Sequence, residues 1–296
     1  MEELDTIKKY LAYDGKVSIS VIESTKLVEE ARKIHDLTPT TTAALGRVLT
    51  AVALMGVDLK SLDDSISVQI KGDGPIGSIV AVADKFPKVR AYVQNPHIEL
   101  SLNENGKIDV GGAVGKNGFL NIIKDIGLKE PYIGIVPLAS GEIAEDFAKY
   151  FVESEQKPTA IALGVLVDKN GVSKAGGYLL SLMPDATEEI VTNIENNIKK
   201  IPSISKILSE SKDLDEIAKI VTGDENIKII EENIYPIYEC NCSLEKFEKG
   251  LISLGKSELE DIIKNEEKIE TVCQFCNKKY IFDKNQIEQL IDKMDK

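Results

Sequence analysis

The chain contains four cysteines, all near its C-terminal end. Cys240 and Cys242 stand in YECNCS with one asparagine between them, and Cys273 and Cys276 follow in TVCQFCNKKY. Two close pairs of soft sulfur donors, CxC and CxxC, supply the four thiolates that a tetrahedral zinc site requires. Each pair can chelate from one tight turn, and residues 243–272 close the loop between them. The histidines, His35 and His97, lie far away in the sequence, so the expected site is all-thiolate, with no open water position. Such a closed site is structural rather than hydrolytic. A region of about 60 residues has a small core, and zinc-binding energies of roughly 10–16 kcal/mol would supply most of its folding free energy.

Zinc keeps its sulfurs as thiolates, the form that attacks oxidants, so the same residues could serve as a sensor of peroxide or hypochlorous acid. A disulfide within one pair would remove half of the ligands. A bridge across CxC closes a very small ring, which is strained and easily reduced again. Two other readings compete. Cys273 and Cys276 could form the redox pair of a thiol oxidoreductase, but that motif sits where a strand enters a helix, whereas VCQFCNKKYIF reads as strand, knuckle and strand. A zinc ribbon for nucleic acid would need a basic stripe, and residues 234–296 have more acidic residues than lysines.

The elements that must carry these residues divide the sequence into three regions. Residues 1–185 mix helix and strand signals. Thr38-Pro39 resembles a helix start, and Leu45, Val48, Leu49, Val52 and Met55 recur at helical spacing after it. SISVQIKGDGPIGSIVAVAD alternates apolar and polar residues around a glycine-rich turn and predicts a hairpin, with another strand at KVRAYVQN. SGEIAEDFAKYFVES predicts a helix opening at Ser140, with Ile143, Phe147, Tyr150 and Phe151 on one face. TAIALGVLVD and GGYLLSLMP flank Asn170-Gly171 and predict a buried hairpin. The expected class is α+β, with an N-terminal domain of antiparallel or mixed sheets packed with helices. Residues 186–233 predict short charged helices whose narrow stripes (Ile190, Ile194, Ile198, then Leu214, Ile217, Val221) would depend on docking to a neighbour. Residues 234–296 form the small four-cysteine domain.

Composition narrows the function classes. The 296 residues are 43% hydrophobic and carry a net charge of −13, a balance that suits a folded protein and repels phosphate backbones and anionic headgroups. The N-terminal MEELDTIKKYL shows no secretory signal, and AVALMGV at 51–57 is far short of the roughly 20 residues that span a bilayer. A cytoplasmic protein is expected, where thiols stay reduced and clustered cysteines serve metals or redox chemistry. GDGPIG at 72–77 lacks the pattern of a phosphate loop and reads as a plain hairpin turn. Glu142, Glu145, Asp146, Glu153 and Glu155 read as a solvated helix face without a nucleophile or histidine partner, and Phe147, Tyr150 and Phe151 as core.

CNCS and CQFCNKKYIFD, together with TPTTTAALGRVLTA, IKGDGPIGSIVAVAD, the KDIGLKEPYIGIVPLASGEIAEDFAKYFVESEQKPTAIALGV block and LGKSELEDII, resemble the 33 kDa chaperonin family, the redox-regulated heat-shock holdases. The resemblance covers nearly the whole chain. It implies an ATP-independent chaperone rather than an enzyme, binding unfolded clients, with neither nucleic acid nor membrane as partner. It also implies that one zinc ion on Cys240, Cys242, Cys273 and Cys276 marks the reduced, inactive state. Oxidation then forms Cys240–Cys242 and Cys273–Cys276 disulfides, releases the metal, loosens the C-terminal domain and the helical linker, and favours a homodimer. Arg90-Ala91-Tyr92 departs from the family's usual Arg-Gly-Tyr, which puts the backbone of that strand in question.

Overall fold

Alternation in TIKKYLA and VSISVIE produces β1 (Thr6–Ala12) and β2 (Val17–Glu23), which pair antiparallel. The computed structural model describes residues 4–85, 87–210 and 213–294. Two helices follow, α1 (Thr25–His35) and α2 (Pro39–Gly56), with Pro39 in the first turn of α2, where its missing N–H costs nothing. Next come β3 (Ser65–Lys71), β4 (Ser78–Asp84), β5 (Lys88–Val93), the short α3 (Val110–Val114), β6 (Phe119–Asp125), β7 (Tyr132–Pro137) and α4 (Ala144–Glu153). The hairpin β8 (Thr159–Asp168) and β9 (Gly171–Leu182) leads into α5 (Glu188–Ile198), α6 (Ile204–Ser209), α7 (Leu214–Thr222), β10 (Lys228–Ile234) and β11 (Ile237–Tyr238). These elements belong to one compact unit, Met1–Glu239; a second, Cys240–Lys296, holds α8 (Leu244–Ile252), α9 (Lys256–Asn265), β12 (Lys268–Val272), β13 (Lys279–Asp283) and α10 (Lys284–Met294). The expected α+β class holds.

The first unit contains a five-stranded antiparallel sheet in the order β10-β1-β2-β9-β8 and a six-stranded sheet in the order β11-β5-β4-β3-β6-β7. Only β11 runs parallel to its neighbour, β5. Helix α2 packs against β4 and β5 of one sheet and β8 and β9 of the other, and every residue from Thr40 to Gly56 except Arg47 is buried. A helix apolar on all sides belongs in an interior. Its approach to α1 and β8 is close enough that a Cβ on Gly46 would lie 2.5 Å from Val28 Cγ1 and 3.0 Å from Val165 Cγ2. Substitution there would force the layers apart.

The GDGPIG turn lies against the end of α3: Gly74 N donates to Val114 O at 2.9 Å, and Ile76 N to Ala113 O at 3.1 Å. A Cβ on Gly74 would sit 2.3 Å from Ala113 O. Those glycines therefore serve chain packing, as a plain turn predicts. Ala91 lies in regular β5, paired with Ala81. The side chain of Tyr238 reaches it from β11, donating to Ala91 O at 2.8 Å and accepting from Ala91 N at 3.3 Å. Alanine is accommodated there in an ordinary strand.

Helix α4 starts at Ala144, later than the expected opening at Ser140, and the reason is Asp146. Read from sequence as part of a solvated acidic face, Asp146 is fully buried. Its carboxylate accepts from the backbone N–H groups of Ala139 (2.7 Å), Ser140 (3.1 Å), Gly141 (3.3 Å) and Ile143 (2.9 Å). These bonds fold the approach to the helix into a loop and hold Ile143 at φ 71°. Phe147, Tyr150 and Phe151 are core, as expected.

Asp5 performs a similar task for α1, accepting from Leu27 N at 2.6 Å and Lys26 N at 3.1 Å. Burial outweighs these bonds and pushes its carboxyl up to about 6. Its folded value lies above its unfolded value of about 3.9, so its contribution favours the fold below about pH 4 and is lost as pH rises through 6. The first unit should therefore lose, between pH 4 and 7, stability of order 2 kcal/mol, read as a fall in Tm that Asp5→Asn lacks. Parallel pH–Tm curves for the two proteins would contradict this account.

Helices α5, α6 and α7 cover the face of the five-stranded sheet turned away from α2. Ile190, Ile194, Ile207, Leu208, Ile217 and Val221 pack with Tyr10, Val17, Ile19, Tyr178 and Leu180 in a second core. Polar ties are few. Asp215 accepts from Lys8 Nζ and Tyr10 OH, each at 2.7 Å, and Tyr13 OH donates to Thr222 O at 2.9 Å. Residues 228–233, read from sequence as the tail of this helical stretch, belong instead to strand β10, which pairs with β1. Its residues are mostly exposed, so no burial pattern marks the strand in the sequence.

Candidate metal centre

Cys240 and Cys242 lie in extended chain before α8, whose first turn is capped by Ser243 Oγ accepting from Lys246 N at 3.3 Å. Cys273 and Cys276 occupy the turn between β12 and β13. Cys273 N donates to Lys278 O at 2.9 Å and Asn277 N to Cys273 O at 2.8 Å, with Asn277 left-handed at φ 56°. Strand, knuckle and strand thus follow one another as the spacing of CxxC predicts. Leu251, Leu259, Tyr280, Phe282, Ile287, Leu290 and Ile291 form a small core beside this turn.

The fold brings all four cysteines together, with every Sγ within 4.8 Å of the others. Cys240 Sγ is 3.6 Å from Cys273 Sγ, and Cys242 Sγ is 3.5 Å from Cys276 Sγ. All four thiols are free. A covalent S–S bond is about 2.05 Å long, whereas sulfurs about 2.3 Å from a tetrahedral zinc ion stand about 3.8 Å apart. The donor set and its spacing fit such an ion. Cys273 is buried and the other three are half-buried.

The thiols are electrostatically unequal. Burial pushes Cys240 and Cys276 up. Burial also acts upward on Cys242, but hydrogen bonding from Tyr280 and the neighbouring thiols outweighs it and brings the group down to about 7. Tyr280 OH donates to Cys242 Sγ at 3.1 Å, and that bond, with burial, pushes the phenol up to about 12. Lys278 Nζ lies 5.2 Å from the centre of the Tyr280 ring, and Lys246 Nζ donates to Asn241 O at 2.8 Å. Sequence reading missed Tyr280. Its only signal was an aromatic residue one short step beyond CxxC, which core packing explains equally well. His35 belongs to the first unit, where its Nε2 bonds Tyr238 OH at 3.1 Å.

A two-sheet α+β unit with a small tetrathiol unit after it defines the class of protein. The family model described as Hsp33 protein matches residues 5–283. A 33 kDa chaperonin from Caldanaerobacter subterraneus subsp. tengcongensis is 48% identical over 289 residues, 97% of this chain and 98% of the relative. One from Clostridium perfringens is 45% identical over 294 residues, 99% and 92% of the two chains. The crystal structure of the 33 kDa chaperonin (heat shock protein 33 homolog) of Thermotoga maritima superposes with a TM-score of 0.89 at 40% identity, covering 99% of this chain and 100% of that one. The chain belongs to the Hsp33 family of 33 kDa chaperonins. Among the described residues, no helix is long and apolar enough to cross a membrane.

Proposed function

We propose that this protein is a cytoplasmic, redox-regulated holdase that works without ATP and, in its oxidised state, binds unfolding proteins and keeps them from aggregating. The observation that carries the reading is the cluster of four free thiols within 4.8 Å, placed in a small unit of its own. Cys240, Cys242, Cys273 and Cys276 would hold one zinc ion, which when bound keeps the sulfurs as thiolates and ties the loop before α8 to the β12–β13 knuckle. In the reduced state α5–α7 cover the apolar face of the five-stranded sheet. We take residues 1–185 as the client-binding domain, 186–233 as a metastable linker and 234–296 as the switch.

Oxidation follows ordinary thiolate chemistry. One thiolate attacks a peroxide oxygen and becomes a sulfenic acid as hydroxide leaves; the second displaces the sulfenic oxygen, so two thiolates, one H2O2 and two protons give one disulfide and two waters. Each disulfide removes two metal ligands. The pairing proposed, Cys240–Cys242 and Cys273–Cys276, follows the family resemblance and not the reduced geometry, in which the contacts of 3.6 and 3.5 Å join Cys240 to Cys273 and Cys242 to Cys276. The oxidised chain, with the C-terminal unit and linker loosened, would act on clients as a homodimer.

The test treats zinc-loaded protein with peroxide at raised temperature, following metal release, disulfide connectivity by mass spectrometry and suppression of client aggregation by light scattering. Zinc release, the two within-motif disulfides and a gain in protection are expected together. Equal protection by the reduced protein would sink the switch, and a Cys240–Cys273 or Cys242–Cys276 bridge would overturn the pairing.

A further inference from the structure

Tyr280 lies on β13 opposite Thr271, with its ring 4.6 Å from that of Phe247, centre to centre. Phenylalanine would satisfy that packing equally well. A buried tyrosine hydroxyl, however, needs a partner, and this one donates to Cys242 Sγ at 3.1 Å. A hydrogen bond to an ionised sulfur is charge-assisted and directional. Four thiolates around a dication leave net negative charge in a half-buried site, and donors outside the ligand shell stabilise that charge and orient the ligands.

We propose that Tyr280 is a positioning residue of the tetrathiol centre, whose hydroxyl orients Cys242 Sγ and stabilises its charge, so that the centre holds metal more tightly than its four cysteines alone would. The inference rests on the reading of those cysteines as metal ligands. Tyr280 itself touches one ligand sulfur and is not a ligand. Removing only its hydroxyl leaves the ring, the strand and the core in place.

The experiment compares full-length wild type, Tyr280→Phe and the packing control Phe247→Leu. Zinc affinity is measured by competition with a chromophoric chelator, and the sulfur-to-metal charge-transfer bands are recorded on the cobalt(II)-substituted proteins. Tyr280→Phe should bind zinc about 10-fold more weakly, the lower end of the usual effect of an outer-shell partner. Its charge-transfer bands should move to lower energy, because a sulfur without the hydrogen bond is easier to ionise. Phe247→Leu should leave the band positions where they are. Unchanged affinity in Tyr280→Phe overturns the proposal. Weaker binding with unmoved bands also overturns it, because the hydroxyl would then act only through packing. A wild type that takes up no zinc brings down the four-ligand reading itself, and this inference with it.

Discussion

Metal removal by a strong chelator, or Cys273→Ser, should unfold residues 240–296 while the first unit stays folded. The core of the second unit consists of seven buried side chains. The unit therefore has little net stability of its own. A zinc ion held by the four cysteines would join the loop before α8 to the β12–β13 knuckle and add roughly 10–16 kcal/mol at neutral pH. Serine supplies a hard, protonated oxygen in place of a thiolate and leaves three ligands. Limited proteolysis and hydrogen exchange measure the outcome: rapid cleavage and exchange across α8–α10, with β1–β9 still protected. Protection across α8–α10 that survives chelation would show that the small core suffices without metal.

Ile217→Asp should turn the reduced protein into an active holdase without any oxidant. Ile217 is fully buried where α7 meets the five-stranded sheet. An aspartate there would sit among Tyr10, Val17, Ile19 and their apolar neighbours, and an unpaired buried carboxylate costs several kcal/mol. The cheapest escape is for α7 to leave, since solvent can replace the polar ties of Asp215, Thr222 and Asp224. The core around α2 is a separate cluster and does not contain Ile217. Light scattering of a thermally unfolding client should show protection by the reduced variant, and hydrogen exchange should rise across α5–α7 while α2 stays protected. Exchange without protection would mean that the uncovered face is not a client surface.

The parts of this molecule that the sequence disclosed are those where residue type and spacing carry the physics. CxC and CxxC can be read because chelation is a local property of each pair, and both pairs meet in space. The helical stripe from Leu45 to Met55 marked α2, yet not that Thr40, Thr41, Thr42 and Ala44 would be buried too. That burial follows from a second sheet closing over the helix, which no local pattern states. Asp146 was misread for a related reason, since helical periodicity assigns it a face but says nothing about a loop that wraps its amides around a carboxylate. Strand β10 was missed because its pairing with β1 joins residues far apart in the chain. The Tyr280–Cys242 bond was invisible for the same reason: contact across a fold is not periodic.

The burial of α2 between both sheets also has a thermal consequence. A helix that forms the wall of two layers cannot let go of one without exposing the other, so the first unit has no inexpensive partial opening through its centre. The core around α2, shared by both sheets, should melt as one cooperative block. A protein built only in that way would respond to stress by being ruined by it. Outside that core stand a surface layer of three short helices with a core of its own and a small unit assembled around four cysteines, and each of these can open without the centre opening with it.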